Sequence, residues 1–310
     1  MYITVAICTW NRARLLDQTL AQLCQVRVPD GIEWQLLVID NNCTDNTPEV
    51  VARYADRLPI SRIVEERQGQ SNARNRAMTA ARGDLLVWTD DDVLVDAQWL
   101  TAYAEAARRW PGAGFFGGQI VPWFEREPPR WMRENLPIFE GVLVARDLGP
   151  TERVLERGEW PWGANMAFRR TAFEGRWFDP NLGLTGTGSI RYDETEYCKT
   201  LERDGVRGVW VPSAVVQHFV SESRMRIDYV RKHFEGSGRA NVRIGGPSEG
   251  TIILGAPVWL YRTYLRTATR AVWRFARRDP NWVESFANAA HLRGEILENR
   301  VYRRRLTPAI

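Results

Sequence analysis

The stretch Gly83-Asp84-Leu85-Leu86-Val87-Trp88-Thr89-Asp90-Asp91-Asp92-Val93 decides the reading of this chain. Its apolar run, Leu85 to Trp88, is bounded by Gly and Asp and reads as a buried strand. The run stops in three consecutive carboxylates. An unpaired buried carboxylate is very costly, so the triplet belongs at the strand's exposed end, where a positive partner neutralises it. Hard divalent cations prefer carboxylate oxygens, and Mg2+ commonly combines one or two carboxylates with substrate phosphates. An isolated Asp triplet reads at least as readily as a solvated acidic turn, because short motifs recur by chance. The rest of the chain has to separate the two.

On the N-terminal side of the triplet, strands and helices alternate. Ile3 to Cys8 is an apolar strand ending in the polar turn Thr9-Trp10-Asn11-Arg12, and Leu15, Leu16, Leu20 and Leu23 then recur at helical spacing. Trp34 to Ile39 is a second strand, ending in Asp40-Asn41-Asn42. Thr44 to Thr47 reads as a helix N-cap region with Pro48 at an early helical position, and Val50, Val51 and Tyr54 supply that helix's apolar face. Ile60 to Val64 is a third strand, and a helix runs from about Ser71 to Arg82. This alternation means βαβ units and a mainly parallel sheet flanked by helices. In such sheets ligands bind outside the carboxyl ends of the strands. Four polar clusters fall there: Thr9–Arg12, Asp40–Asn42, Glu65–Gly69 and Asp90–Asp92. That coincidence favours a metal and a phosphorylated ligand over surface decoration. No GxGxxG follows a strand and no GxxxxGK[ST] occurs, so neither a dinucleotide fold nor a P-loop is indicated.

The middle of the chain is less regular. Phe115 to Val121 reads as a strand, and Pro122 to Pro137 as a loop rich in Pro, Trp and Arg. Trp160-Pro161-Trp162-Gly163-Ala164-Asn165 precedes the short apolar stretch Met166 to Phe168. Gly183 to Ser189 reads as a mobile Gly-rich loop, Glu194 to Asp204 as a helix, and Val209 to Pro212 with Val215-Val216 as extended chain ending at His218.

Composition sets the frame. With 310 residues, 44% of them hydrophobic, the chain can bury one large domain or one domain plus an appendage. The four cysteines (Cys8, Cys24, Cys43, Cys198) form no CxxC pair, which fits a reducing, cytoplasmic setting. The N-terminus lacks the basic and apolar regions of a signal peptide, and no stretch approaches the roughly 18 uninterrupted apolar residues of a spanning helix. Charge is unevenly placed. Residues 220–310 hold 17 Lys+Arg against 8 Asp+Glu, whereas residues 1–219 hold 25 against 30. An acidic working domain, residues 1–220, is therefore expected beside a basic helical extension, residues 221–310, with an anionic neighbour.

Taken in order, the clusters resemble the family 2 glycosyltransferases. The matching pieces are Cys8-Thr9-Trp10-Asn11-Arg12, Val38-Ile39-Asp40-Asn41, Gly69 with Ala73-Arg74-Asn75, Gly83 to Val93, Gly163 to Arg170, Asp193-Glu194, and Val211-Pro212 leading to His218. The resemblance covers roughly residues 2–220. It implies a GT-A-like (Rossmann-like) α/β domain and an inverting enzyme that uses a nucleotide-diphosphate sugar, UDP-sugars being commonest. Thr9, Asn11, Arg12 and Asp40 would line the nucleobase and ribose pocket, with Arg74 and Asp91 also counted with the nucleotide-sugar residues. Asp90 and Asp92 would be the outer members of the DxD motif, and Asp92, Asp90 and His218 would hold Mg2+ or Mn2+. Gly163 and Asn165 would shape the sugar and acceptor pocket, joined by Trp162 as a stacking surface. The family usually reads Glu-Asp where this chain reads Asp193-Glu194. The second position carries the catalytic base, which selects Glu194, with Asp193 as the other candidate.

The residues themselves also allow plainer roles. His218 reads equally as a hydrogen-bonded strand-end histidine, Asp40 as a helix-entry cap, Arg12 as a solvated turn charge, and Trp160 and Trp162 as core. Arg169 and Arg170 read as solvated or ion-paired. A nucleotidyltransferase would use clustered carboxylates too, and a nucleotide-sugar-binding scaffold with a degraded site is the non-catalytic alternative. In the basic region, Val258 to Arg278 reads as an amphipathic helix, with Arg262, Arg266, Arg270 and Arg274 every four residues. Val258, Tyr261, Leu265, Ala268, Val272 and Phe275 lie on the opposite arc. Such a helix suits an anionic membrane surface or packs on the domain with its Arg stripe in water, and the membrane fits a glycan or lipid-linked acceptor. Nucleic acid is not the expected partner, because the working half is acidic.

Overall fold

A computed structural model describes residues 1–183 and 193–306. Apart from Gly183, the Gly-rich loop lies outside the described residues. The chain divides into two compact units, residues 1–123 with 144–219, and residues 124–143 with 220–310.

The first unit opens with β1 (Tyr2–Thr9), α1 (Ala13–Leu23), β2 (Glu33–Asp40), α2 (Thr47–Ala52), β3 (Ile60–Val64), α3 (Gln70–Ala80), β4 (Leu85–Asp90), β5 (Val93–Val95), α4 (Trp99–Arg109) and β6 (Ala113–Phe124). The segment read as a Pro-rich loop instead holds α5 (Arg130–Arg133) and the start of a 3-10 turn at Leu136–Phe139, with α6 (Glu140–Leu143) just beyond it; these belong to the second unit. The reason is proline's second role. Pro129 stands at the α5 N-cap with φ −59° and Pro137 in the first positions of the 3-10 turn, where a missing N–H costs nothing. Then come β7 (Arg153–Val154), β8 (Asn165–Arg169), α7 (Arg170–Phe173), α8 (Asp193–Arg203) and β9 (Arg207–Val220).

Among the described residues nine strands form one sheet, in the order β3-β2-β1-β4-β8-β6-β9-β5, with β7 on β9. The parallel pairing covers β3, β2, β1 and β4. Beyond it, β8 runs antiparallel to β4 and β6 to β8, and β5 runs antiparallel to β9, so the sheet is mixed. Successive residues of a strand face opposite sides, and two cores follow. Ile3, Val5, Ile7, Leu85 and Val87 pack under α1, α2 and α4, while Ala6, Leu86 and Trp88 pack with Ala73 and Ala77 of α3 and Tyr197 and Leu201 of α8. The parallel register then brings the strand ends level. Thr9 stands opposite Asp40, Asp40 opposite Val64, and Cys8 opposite Asp90.

The second unit is helical. It contains α9 (Ile227–Gly245), the hairpin β10 (Ile252–Ile253) and β11 (Ala256–Pro257), α10 (Val258–Ala276) and α11 (Trp282–Leu306). At Gly238 of α9 an added Cβ would collide with the His291 carbonyl of α11, and at Gly294 of α11 with the Glu235 carbonyl of α9. Only glycine lets the two backbones approach this closely. Helix α10 is present as read, but its buried residues are Leu260 and Ala271, and Leu260 packs with Ala256 and Ile296 beside Tyr261 and Tyr264. Of the arc read as apolar, Leu265, Val272 and Phe275 remain in water. Packing selected the stripe whose residues fit α11 and the hairpin, not the most apolar arc.

Candidate active site

The site is built on the level strand ends. Asp90 closes β4, and the tight connection to β5 carries Asp91 and Asp92 inward, both buried. Thr9 Oγ1 donates to Asp91 Oδ2 at 2.7 Å, and Arg12 Nη1 donates to Asp91 Oδ1 at 2.8 Å and to Asp92 Oδ2 at 3.0 Å. Arg12 is thus an ion-paired member of the site and not a solvated turn charge. Thr19, a buried hydroxyl on α1, donates to the Asp91 carbonyl at 3.0 Å and accepts from the Val93 N–H at 3.2 Å, pinning the turn from behind. Sequence reading passed over Thr19; a Thr between Leu16 and Leu20, within the helix's apolar face, was the available signal.

The β5–β9 pairing sets Val93 opposite His218, and the Phe219 N–H donates to the Asp92 carbonyl at 2.9 Å. His218 Nε2 lies 3.4 Å from Asp92 Oδ1. One ligand atom each from Asp90, Asp92 and His218 can be chosen within 4.8 Å of one another. Burial, and then the charge of Asp92, push the Asp90 carboxyl up to about 7, and burial raises Asp91 to about 6 despite Arg12. Burial and mutual repulsion thus outweigh what Arg12 and Arg74 offer Asp90 and Asp91. Two carboxylate oxygens and an imidazole form a donor set suited to Mn2+ or a similar divalent ion, so these residues fit the metal their motif implies.

A second acidic group neighbours the first, close enough that the charges of Arg74 and Glu194 both act on Asp90. Arg74 of α3 is buried and binds both members of the acidic pair at the start of α8, with Nη1 at 2.5 Å from Asp193 Oδ2 and 3.0 Å from Glu194 Oε2. An added Cβ at Gly163 would strike Arg74 Nη2, so a larger residue there would have to displace the guanidinium from its place. Burial raises Asp193 to about 8, with the charge of Glu194 adding and Arg74 opposing. For Glu194 burial acts upward as well, but Arg74 and the hydrogen bonds to its carboxylate outweigh it, and the net direction is down. The Glu194 side chain keeps 24% of its surface in solvent against 1% for Asp193. Arg74 was expected beside the nucleotide. Its clasp on residues 119 and 120 positions away has no signature in local spacing.

The remaining expected residues have definite places. Asn11 adopts φ 52°, a conformation Asn tolerates, and its Oδ1 accepts the Thr44 N–H at 2.7 Å, stitching the β1 loop to the β2 loop. Asp40 is no helix cap. Its Oδ1 accepts the Cys43 N–H at 2.7 Å, and its Oδ2 takes Arg62 from the edge strand. Asn165 is wholly interior, accepting from Trp99 Nε1 at 2.8 Å and Tyr103 Oη at 2.7 Å and donating to the Gln119 and Ala214 carbonyls. All four of its hydrogen bonds are spent on holding β8 in place. Trp162 is half-buried under the Arg146 guanidinium, 5.3 Å from its ring centre, and Trp160 lies under Lys199 Nζ at 5.3 Å. Arg169 and Arg170 are half-buried and make no ion pair among the described residues; they donate to main-chain carbonyls, Arg169 to Ala113 and Ala107, Arg170 to Gly83 and Ala81.

The chain is similar to known proteins. The chain is 28% identical over 251 residues to the succinoglycan biosynthesis protein ExoM of Rhizobium meliloti, spanning 79% of this chain and 75% of that protein. It is 26% identical over 243 residues to the glucosyl-dolichyl phosphate glucuronosyltransferase of Haloferax volcanii, spanning 74% and 73%. Among solved structures, the mannosyltransferase PcManGT from Pyrobaculum calidifontis, in complex with GDP-Man and Mn2+, matches with a TM-score of 0.59 at 20% identity, over 96% of this chain and 86% of that one. That likeness shows the GT-A-like fold. The model of the family described as Glycosyl transferase family 2 matches residues 4–177, which takes in β1 through β8 and the whole Asp90–Asp92 turn. The chain belongs to that family, and it is a glycosyltransferase.

Proposed function

We propose that the enzyme moves a sugar from a UDP-sugar to a hydroxyl of a glycan or lipid-linked acceptor, with inversion at the anomeric carbon and Glu194 as general base. The observation that carries this is the division of the acidic side chains into two groups with different partners: Asp90 and Asp92 with His218, and Asp193 and Glu194 with Arg74. Transfer has two electrostatic needs. The leaving diphosphate gains charge, and the incoming hydroxyl loses a proton.

The first group meets the first need. Asp90, Asp92 and His218 would hold the divalent ion, which when bound supplies a Lewis acid for the diphosphate oxygens. Thr9 and Arg12 fix the turn that carries Asp92, and Asn11 and Asp40 fix the two loops assigned to the nucleoside. The second group meets the second need. Glu194 keeps a solvent-facing edge from which it can take the acceptor proton, whereas Asp193 is enclosed behind Arg74. Gly163 and Trp162 border the sugar side, with Asn165 keeping their strand in register. Catalysis is assigned to residues 1–220, with 221–310 as an extension, and the setting is the cytoplasmic face of the membrane, in keeping with four free cysteines.

Calorimetric titration of UDP, GDP, CDP and dTDP, each with and without Mn2+, tests the donor site in wild type and Asp92→Ala. Metal-dependent binding of UDP, weakened in the variant, is expected; no binding by folded protein overturns the donor reading. Glu194→Gln should bind donor as wild type does and lose about 10²–10⁴ in turnover, the usual contribution of a positioned base. An NMR assignment of retained anomeric configuration in the product would overturn inversion.

A further inference from the structure

Helix α10 leaves in water a face that its own packing does not use. Its buried line is Leu260 and Ala271, on one side only. On the other side Leu265 is 60% exposed and Val272, two turns on, 70% exposed, with Trp259 and Trp273 also exposed. The helix carries four arginines and no acidic residue, and Arg262, Arg266 and Arg270 make no ion pair among the described residues. Arg266, Arg270 and Arg274 line one shallow groove with Thr269 and Trp273, and the Arg277 guanidinium stands 4.2 Å over the Trp273 ring.

A second observation lies just before the helix. The β10–β11 hairpin turns through Leu254 and Gly255, both with positive φ (49° and 80°), as a two-residue hairpin turn of the primed type requires. Leucine is a poor choice there, since a side chain at positive φ is strained and Asn or Asp is preferred. It is nonetheless 75% exposed, beside an exposed Ile253. Tyr261 Oη donates to the Leu254 carbonyl at 3.1 Å, which ties the hairpin tip to the flank of α10 where Leu265 follows Tyr261 by one turn. The apolar tip and the stripe from Leu265 to Val272 therefore adjoin, with the arginine groove alongside.

We propose that this surface seats on an anionic phospholipid bilayer, with Leu254, Leu265 and Val272 entering the headgroup–acyl boundary and Arg262, Arg266 and Arg270 pairing with lipid phosphates. A basic helix with aromatic and aliphatic residues on an uncovered arc is the form that lies in a membrane interface, and its binding sums apolar burial and attraction to anionic lipid. A second copy of the chain is disfavoured as occupant, because like faces would oppose arginine to arginine with no carboxylate from either helix. Nucleic acid would use the arginines but leave the aliphatic tip without a function. The proposal does not depend on the chemistry assigned to the first unit.

The test is flotation of the full chain with phosphatidylcholine vesicles, with and without phosphatidylglycerol. Wild type is expected to float only with the anionic vesicles and to release as salt is raised. An Arg262→Gln/Arg266→Gln/Arg270→Gln variant should lose at least about tenfold in the floated fraction. Leu254→Asp/Val272→Asp should lose as much at low salt, which a purely electrostatic association would not show. All five positions are in solvent, and unchanged thermal unfolding and unchanged transfer to a water-soluble acceptor would confirm that the variants are folded. Wild type that stays in the pellet with anionic vesicles at low salt overturns the proposal. So does self-association by sedimentation velocity that the Leu254→Asp/Val272→Asp variant abolishes, or binding to single-stranded RNA in preference to vesicles.

Discussion

The Asp193–Glu194 pair shows how burial and one shared cation separate two adjacent carboxyls. Asp193, raised to about 8, keeps a proton in the folded chain that the unfolded chain gives up near pH 3.9. Its contribution to stability is therefore complete below about pH 4 and is lost as pH rises through 8. Glu194 moves down, so its contribution is present above about pH 4.3 and is lost only in stronger acid. Asp90 and Asp91, raised to about 7 and about 6, act in the same sense as Asp193. Metal-free protein should accordingly lose thermal stability from about pH 5 to about pH 8. Asp193→Asn should show a shallower fall over that window while keeping the part due to the other two. Equal slopes in the two proteins, measured by thermal unfolding in chelator, would refute the raised Asp193.

At the scale of elements, β8 lies between β4 and β6 and is further tied to α4 and β9 by a single side chain. Asn165→Ala would strand the Trp99 indole N–H, the Tyr103 hydroxyl and two main-chain carbonyls in the interior. A buried group left unsatisfied costs about 1–3 kcal/mol, so a loss of at least about 3 kcal/mol in a denaturant titration is expected, and a loss below about 1 kcal/mol would contradict the network. The strands and helices through β4 were legible because each is a short local pattern: an apolar run, a polar stop, a leucine repeat. So were the four strand-end clusters, whose alignment follows from parallel register. What could not be read was the partnership across distance. Arg62 on Asp40, Arg74 on the acidic pair and Asn165 beneath α4 depend on which strands become neighbours, and composition carries no such information. The Pro-rich segment failed for another reason, since Pro129 and Pro137 start helical turns as readily as proline ends them. Which side of α10 would be buried was not legible, because fit against α11 and the hairpin chose the stripe of Leu260.

At the scale of the molecule, the second unit rests on the crossing of α9 and α11. Gly238 and Gly294 sit where each backbone meets the other, and Glu298 of α11 binds Arg239 and Arg243 of α9. Gly294→Val would force the helices apart, and overpacking of this kind costs about 1–3 kcal/mol. The expected result is a lower unfolding temperature for this unit with nucleotide binding by the first unit retained; an unaltered melting profile would contradict the close crossing. The sheet of the first unit carries a consequence of its own at its two margins. One margin is β5, only three residues long; the other is β3, which sends Arg62 to its neighbour's carboxylate and exposes Ser61 beside it. Neither outermost strand offers a long apolar row of unpaired peptide groups, and a stray extended chain needs such a row to add itself as a further strand. The fold therefore guards against templated aggregation at both sides, a property that would show as persistence of clear solution and low dye binding when the protein is concentrated well below its melting temperature.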